Sequence, residues 1–163
     1  MQIRRLTEND WILWKAFRIL ALGHAPEAFA SSMEEEERLP DRQFQDWLRG
    51  TVVLGAFING HLIGSAGFFL HEFSKERHRG VLFGVNVLPE HRNQGIARQL
   101  VQQVIDRAKN EVLQLHLKVI STNLAAISVY ERCGFRFYGA EPRALKIGDR
   151  FYDENIMVLF FGK

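Results

Sequence analysis

The feature that most constrains the fold is a strand–helix–strand pattern in the middle of the chain, between Gly80 and Ile120. Residues 80–88 form an apolar run, and residues 95–109 place their apolar side chains on one helical face. Residues 112–120 then alternate between apolar and polar side chains. Two strands joined by a helix in this way lie parallel in one sheet. The pattern therefore predicts a βαβ unit.

The rest of the chain adds strands and helices around this unit. The dipeptide Asn59-Gly60 separates two apolar runs, which is typical of a type I′ hairpin. The strands predicted outside the unit are Ile3–Leu6, Thr51–Ile58, Leu62–Leu70, Phe135–Tyr138 and Ile156–Phe160. The predicted helices run from Thr7 to Leu22, from Asp41 to Arg49 and from Asn123 to Arg132. Residues 24–40 show no regular pattern. The sequence thus predicts an α+β fold with a central mixed, mostly antiparallel sheet of six to seven strands, flanked by about four helices.

Composition limits the classes of function. A length of 163 residues with 47% hydrophobic content fits one domain, residues 1–163. The formal net charge of +2 is too small for a protein whose main partner is nucleic acid. Cys133 is the single cysteine, so we expect no disulfide, and the scattered histidines predict no metal site. We find no secretory leader and no run of roughly 18 apolar residues that would span a membrane, so we expect a cytoplasmic protein without a membrane partner.

The segment from Val85 to Arg98 joins the first strand of the unit to its helix and has the physical properties of an anion site. The first N–H groups of a helix have no partner within the helix and lie at the positive end of its dipole. Gly95 and Ala97 have little or no side chain, which lets phosphate oxygens approach their backbone. Arg92 and Arg98 flank the turn and either contact phosphate or remain solvated. A P-loop and a dinucleotide fold are disfavoured, because neither glycine pattern occurs.

Two blocks of the sequence have the order and separation expected of one known family. The first block is Arg92-x-x-Gly95-x-Ala97, after an apolar strand and a proline. The second is Asn123-x-x-Ala126-x-x-x-Tyr130-x-x-x-Gly134-Phe135. Together they resemble the GNAT superfamily of N-acetyltransferases, and the similarity covers nearly the whole chain. This resemblance implies that the sheet is splayed, that acetyl-CoA is the co-substrate and that an acetyl group moves directly to a primary amine.

The resemblance also assigns roles to individual residues. The backbone around Asn86, Val87 and Leu88 would pair with the pantetheine arm of acetyl-CoA. The turn that would hold the pyrophosphate consists of Arg92, Asn93, Gln94, Gly95, Ile96, Ala97 and Arg98. Asn123 would hydrogen-bond the pantetheine, with a helix N-cap as its alternative or additional role. Tyr130 matches the general acid of the family, and a phenol with a pKa near 10 is protonated at neutral pH. Its alternative role is that of a partly buried packing residue.

The general base is not identified by the sequence, although an amine acceptor must lose a proton. Lys118 stands where the ribosomal-protein acetyltransferase branch has a glutamate, which counts against that branch. The remaining candidates are Glu34 to Glu37, His71, Glu72 and His116. Cys133, at a helix end, is expected to pack and not to act as a nucleophile.

The acceptor is expected where the first helices, residues 24–40 and the last hairpin meet the splayed strands. Glu34 to Glu37 and Asp153-Glu154 would attract a cation, which favours a small-molecule amine such as an amino acid derivative or a polyamine. A protein N-terminus or lysine is the alternative acceptor. A non-catalytic acyl-CoA sensor is the alternative class, and an RNA-binding module is the least favoured. The apolar segment Val158–Phe161 would either pair across a homodimer or fill the core.

Overall fold

The computed structural model describes residues 1–162 and contains one seven-stranded sheet. The strands are β1 (Gln2–Arg5), β2 (Val52–Ile58), β3 (His61–Leu70), β4 (Arg79–Val87), β5 (Gln114–Ile120), β6 (Arg136–Ile147) and β7 (Arg150–Phe160). The helices are α1 (Trp11–His24), α2 (Met33–Arg38), α3 (Asp41–Gly50), α4 (Ile96–Ala108) and α5 (Leu124–Arg132). The strand order is β1-β2-β3-β4-β5-β7-β6, and only β4 and β5 pair in parallel. The predicted mixed, mostly antiparallel sheet is therefore confirmed.

The two strongest local predictions are confirmed. The strand–helix–strand unit consists of β4, α4 and β5. Asn59 and Gly60 have φ angles of 50° and 79°, and two positive φ values are what a type I′ turn requires. Short-range chemistry determines both features, since an amphipathic period and an Asn-Gly pair need no distant partner to take effect.

The sheet has helices on both faces. α4 and α5 cover one face and bury a large cluster that includes Leu100, Leu115 and Met157. α1 and α3 pack on the other face, where Trp14 and Phe44 meet edge to face with ring centroids 6.3 Å apart. Each fully buried large apolar side chain contributes about 1.5–3 kcal/mol, and these two clusters hold the helices on the sheet.

None of the helices in the described residues is long and apolar enough to cross a membrane.

The region between α1 and α3 is more regular than predicted. It contains α2, so residues 1–162 form five α-helices where about four were expected. Ser32 begins α2 with a capping box: its hydroxyl accepts the Glu35 N–H at 3.1 Å, and the Glu35 carboxylate accepts the Ser32 N–H at 2.8 Å. The Ser-x-x-Glu pattern of a capping box is present in the sequence. The helix was not predicted because the acidic run that follows Ser32 lacks apolar periodicity.

The last two strands are longer than predicted. β6 extends to Ile147 and β7 begins at Arg150, whereas the sequence suggested only Phe135–Tyr138 and Ile156–Phe160. Two register shifts in β6 interrupt its alternation, so the periodic pattern fails there although the pairing continues. The turn between the strands contains Gly148, with a φ of 58°, which suits a tight hairpin.

The apolar segment at the end of the chain lies inside the sheet. β7 pairs with β5 on one side and with β6 on the other. Val158 and Phe161 are part of this arrangement, because Val158 is buried and the Phe161 N–H donates to the Leu113 carbonyl at 2.8 Å. The edge of this segment that faces β5 is therefore paired within the chain. Val158 contributes to the core, whereas the Phe160 side chain is exposed.

Candidate functional site

An opening divides the sheet between β4 and β5. The two strands pair only where Arg79–Val81 of β4 lies beside Gln114–His116 of β5, and beyond these residues they separate. A pocket lies in the opening. It is lined by Glu27, Ala28, Leu82, Phe83, Gly84, Val85, Leu117, Lys118, Val119, Ile120, Asn123, Ala126, Tyr130 and Glu154. Strands that separate leave backbone groups without a ladder partner, and such groups can pair with an extended ligand.

A β-bulge in β4 shapes the edge of this opening. The register of β4 on β3 shifts between the pairs Phe83–Gly67 and Asn86–Ser65, so an extra residue lies on β4. Gly84 lies in the bulge with a φ of 62°, a left-handed value that glycine adopts without strain. No role is predicted for Gly84 from the sequence. A glycine inside a strand pattern is nevertheless a recognisable sign of a bulge.

The turn before α4 presents a row of free backbone donors. From Asn93 to Arg98, none of the six N–H groups donates a hydrogen bond to the described residues. The first bond of the helix runs from the Gln99 N–H to the Gly95 carbonyl, at 3.1 Å. A Cβ atom on Gly95 would meet nothing within 4 Å, so the space in front of the turn is open. Free N–H groups at the positive end of a helix dipole form an anion site.

The arginines that flank the turn differ in their surroundings. The Arg92 Nε donates to the Val87 carbonyl at 2.9 Å and thereby ties the turn to the end of β4. Arg98 is exposed, and its side chain makes no hydrogen bond within residues 1–162. Ile96 has its side chain buried in the core, so only its backbone belongs to the turn. Among the described contacts, Arg98 therefore has its whole guanidinium free for an anion, whereas Arg92 has its Nε engaged.

The end of β4 directs alternate peptide groups towards the opening. The Leu88 N–H donates to the Ile63 carbonyl on β3 at 2.9 Å. Successive residues of a strand point their peptide groups to opposite edges, so those of Asn86 also face β3 and those of Val87 face the opening. The Val87 carbonyl already accepts the Arg92 side chain. The Val87 N–H is therefore the donor that this stretch offers to a ligand in the opening.

α5 brings Asn123 and Tyr130 to the wall of the pocket. The Asn123 Oδ1 accepts the Ala126 N–H at 3.1 Å, so the side chain is a helix N-cap, and its amide NH2 makes no hydrogen bond to the described residues. Tyr130 is only 7% exposed and packs edge-on against Phe135, with ring centroids 6.0 Å apart. Burial raises the pKa of the Tyr130 phenol, which keeps its proton in place at neutral pH.

The Tyr130 hydroxyl makes no hydrogen bond within the described part of the chain, which distinguishes it from a packing tyrosine with a satisfied hydroxyl. Cys133, one turn further along, is half-buried against the main core cluster. Burial raises the pKa of the Cys133 thiol and so disfavours the nucleophilic thiolate.

The acidic run of the sequence is not a uniformly solvated face. Glu36 is fully buried and forms an ion pair with Arg18, whose Nε lies 2.8 Å from Glu36 Oε2. Ser31 adds a hydrogen bond of 2.6 Å to the same carboxylate. The Arg18 guanidinium also lies over the rings of Trp14 and Phe29. Because Glu36 is neutralised in this way, it adds no net attraction for a cationic acceptor.

The candidate bases named from the sequence lie elsewhere. Of Glu34 to Glu37, His71, Glu72 and His116, none is among the described residues that line the pocket. Both ring nitrogens of His116 are engaged, Nδ1 with the Tyr138 hydroxyl at 2.9 Å and Nε2 with the Gln114 side chain at 3.0 Å. Burial, together with the charge of Arg79, lowers the pKa of His116.

Charged side chains of β5, β6 and β7 meet at the edge of the pocket. Lys118 donates to Glu141 Oε2 at 2.7 Å, and this hydrogen bond raises the pKa of Lys118. Glu154 pairs in register with Ile120 on one side and with Glu141 on the other, and it lines the pocket. Burial raises the pKa of the Glu154 carboxyl. The sequence suggested for Glu154 only a general attraction for cations.

Known proteins share this sequence and architecture. The model of the acetyltransferase (GNAT) family matches residues 11–135. The chain is 33% identical over 89 residues to the spermidine N(1)-acetyltransferase of Vibrio cholerae serotype O1. The aligned region covers 53% of this chain and 51% of that protein. It is 30% identical over 117 residues to the L-amino acid N-acetyltransferase AaaT of Escherichia coli strain K12, covering 70% of this chain and 68% of that protein.

The fold agrees with a solved structure over its whole length. The structure of yncA from Salmonella typhimurium with its cofactor acetyl-CoA matches with a TM-score of 0.87 and 23% identity, and the match covers 100% of this chain and 95% of that one. The match to the family model includes α4 with its open first turn, β5 and α5. The chain belongs to the acetyltransferase (GNAT) family.

Proposed function

We propose that this protein transfers the acetyl group of acetyl-CoA to the primary amine of a small molecule. The main support is the row of six free N–H groups from Asn93 to Arg98, which lies in the connection between β4, at the edge of the opening, and α4. A diphosphate bound there would gain several hydrogen bonds at once, together with the favourable field of the α4 dipole. Membership of the family and the acetyl-CoA in the yncA structure support the same cofactor.

The residues around the opening fit the other parts of acetyl-CoA. The pantetheine arm is an extended chain of amides, and the Val87 N–H and the free Asn123 amide offer hydrogen bonds to such a chain from the two edges of the opening. Acetyl-CoA supplies an acetyl group activated as a thioester. Tyr130 lines the same pocket with a protonated hydroxyl that has no partner among the described residues.

In the proposed reaction, the amine nitrogen attacks the carbonyl carbon, a C–N bond forms and the C–S bond breaks. The Tyr130 hydroxyl donates its proton to the departing sulfur. A phenol that is buried and strongly protonated is a poor base but a suitable acid here, because the thiolate that leaves needs a proton at that moment. Tyr130 therefore acts in the transfer step and not in cofactor binding.

A small amine is the proposed acceptor. The pocket lies between the separated strands of the sheet, and Glu27 and Glu154 line it, which suits a compact cationic amine. Spermidine and L-amino acids, named for the relatives above, are the first compounds to try. Transfer to a protein N-terminus or lysine, and acyl-CoA binding without turnover, are the alternatives. Since one sheet joins residues from Gln2 to Phe160, we propose that the chain forms one catalytic domain.

Calorimetric titration with acetyl-CoA, followed by a thiol-release assay with spermidine, L-amino acids and a short peptide, tests the proposal. Micromolar binding with thiol release on addition of a small amine is the expected result. Release with the peptide alone would identify a protein acceptor, and tight binding with no release by any amine would favour the sensor. Absence of acetyl-CoA binding by the folded protein would overturn the proposal as a whole.

A further inference from the structure

We infer that Glu154 is the residue that receives the acceptor amine: its carboxylate binds the ammonium group and accepts a proton from it before transfer. This inference rests on the proposed function and extends it to a residue that neither the family motifs nor the candidate bases of the sequence include. It identifies the acceptor as an amine that is protonated in solution.

The position of Glu154 is fixed by the sheet. β7 is an interior strand, and Glu154 pairs in register with Ile120 of β5 and with Glu141 of β6. The side chain lines the pocket that also contains Tyr130 and Asn123. It makes no hydrogen bond and no ion pair within residues 1–162, so both carboxylate oxygens are free for a ligand. A rigid backbone with an unpaired, half-buried carboxylate is a suitable support for a proton acceptor.

The charges around Glu154 adjust its proton affinity. The charges that act on it are those of Lys118 on β5 and Glu141 on β6. Glu27, in the turn after α1, and Tyr130 on α5 line the same pocket. Burial raises the pKa of Glu154 most, the charge of Lys118 lowers it, and the charge of Glu141 raises it. Because Lys118 is held by Glu141 at 2.7 Å, it does not pair with Glu154. The carboxylate thus keeps a higher affinity for a proton than an exposed glutamate has.

Other carboxylates and imidazoles are less suited to this role. Glu27 lines the pocket from a short 3-10 turn, Pro26–Ala28, and not from a strand that neighbouring strands fix on both sides. The Glu36 carboxylate is already engaged in a buried ion pair with Arg18. His116 has both ring nitrogens engaged. Glu154 is therefore the pocket carboxylate whose position is fixed and whose oxygens are unpaired.

The protons and bonds of the step balance. The ammonium nitrogen gives one proton to the Glu154 carboxylate, and the freed lone pair forms the C–N bond as the C–S bond breaks. Tyr130 gives its proton to the sulfur and regains one from the nitrogen, which needs to lose a second proton to become an amide. Glu154 then releases its proton to solvent. The net products are one amide, one free thiol and one proton.

The first test compares wild type with Glu154→Gln on two probe amines. Ethylamine is a cation at neutral pH and must lose a proton before attack, whereas hydroxylamine is neutral there. We expect Glu154→Gln to lower kcat/KM for ethylamine about 100-fold and to change the value for hydroxylamine less than about threefold. In wild type, kcat/KM for ethylamine should rise with pH as Glu154 ionises, and this acidic limb should be absent in Glu154→Gln. Equal losses on both probes would overturn the inference.

The second test shifts the pKa of Glu154 by substituting its charged neighbours and leaves Glu154 itself unchanged. Glu141→Gln removes a negative neighbour and frees Lys118, so the pKa of Glu154 and the acidic limb should shift to lower pH. Lys118→Met removes the positive charge, so both should shift to higher pH. Carbon-13 NMR titration of the Glu154 carboxyl, read in the free protein, measures the same shifts without turnover. An unshifted carboxyl in wild type, or shifts of the wrong sign, would contradict the inference.

Glu27→Gln is the matched control, since it neutralises the other carboxylate of the pocket. If it removes the acidic limb while Glu154→Gln keeps it, the proton acceptor is Glu27 and the inference is wrong. Failure of the inference is distinguishable from failure of the proposed function. If only the inference fails, acetyl-CoA binds, and wild type and Glu154→Gln acetylate ethylamine with the same pH dependence. If the proposed function fails, no acetyl-CoA binds to the folded protein.

Discussion

The helices α4 and α5 each follow a strand that borders the opening, yet their first turns are built differently. α4 begins at Gly95 with no side-chain cap and leaves its first N–H groups free. α5 begins at Asn123, whose side chain accepts the Ala126 N–H at 3.1 Å. A capped helix start is satisfied by its own chain, whereas an uncapped one remains ready for a ligand. This difference fits the proposed roles, in which α4 serves cofactor binding and α5 serves positioning and proton transfer.

If the open first turn of α4 binds the cofactor, filling that turn should have the largest effect. Gly95→Glu places bulk and negative charge in front of the free N–H groups, and we expect acetyl-CoA affinity to fall about 100-fold or more, since several charge-assisted hydrogen bonds are lost. Gly60→Glu is the matched control, because Gly60 has a similar φ of 79° and also has open space at its Cβ position. Calorimetry and thermal unfolding of both variants check the prediction.

Both glycine variants should lose a similar amount of stability, about 1–2 kcal/mol for a left-handed side-chain residue. Only Gly95→Glu should lose the cofactor. Retained affinity in a folded Gly95→Glu protein would mean that the pyrophosphate does not bind at the start of α4.

A second prediction concerns the chemical role of α5. Tyr130→Phe removes the hydroxyl without removing the ring, and we expect kcat to fall about 100-fold while the acetyl-CoA dissociation constant stays within about twofold. Stability should hardly change, because the hydroxyl makes no hydrogen bond to the described residues. Steady-state kinetics on an accepted amine, with calorimetry on the same preparation, measures both quantities. An unchanged kcat would leave Tyr130 as a packing residue only.

A third prediction separates the two roles of Asn123. Asn123→Ala removes the cap and should lower the free energy of unfolding by about 1 kcal/mol, whereas Asn123→Asp keeps a capping oxygen and should retain most of that stability. Both variants lose the amide donor, so both should bind acetyl-CoA about 2–10-fold more weakly. Wild-type affinity in Asn123→Asp would show that the residue is a cap alone. Denaturant unfolding and calorimetry distinguish the cases.

The smallest effect is expected from the arginines beside the α4 turn. Arg98→Gln should weaken acetyl-CoA binding about two- to fivefold at low salt, with a smaller effect at high salt, as for an exposed charge. Arg92→Gln should instead lower stability by roughly 1 kcal/mol, because it removes the hydrogen bond to the Val87 carbonyl. Calorimetry at two salt concentrations and thermal unfolding check the pair. Weaker acetyl-CoA binding in Arg92→Gln and lower stability in Arg98→Gln would mean that Arg92 contacts the anion and that Arg98 is the structural residue.

Much of the fold was predictable because its determinants are local. The amphipathic period of α4, the Asn-Gly turn and the alternation in β5 each depend on neighbouring residues and appear in the structure where expected. α2 and the long β6–β7 hairpin were missed for a different reason. Buried Glu36 breaks the apolar pattern that would identify a helix, and two register shifts interrupt the alternation of β6. For α2, a partner 18 positions away, Arg18, binds the glutamate that breaks the apolar pattern. For β6, pairing with β7 continues across the shifts although the alternation does not.

The family blocks, the βαβ unit and the glycine turn before α4 follow from the sequence alone, since each depends on contiguous residues. The tertiary structure decided where charges lie. Arg18 and Glu36 are 18 positions apart and become one buried pair, and Glu154 enters a pocket bounded by residues from β4, β5 and α5. Burial and proximity set proton affinity and charge, and both depend on distances between segments that no local pattern encodes.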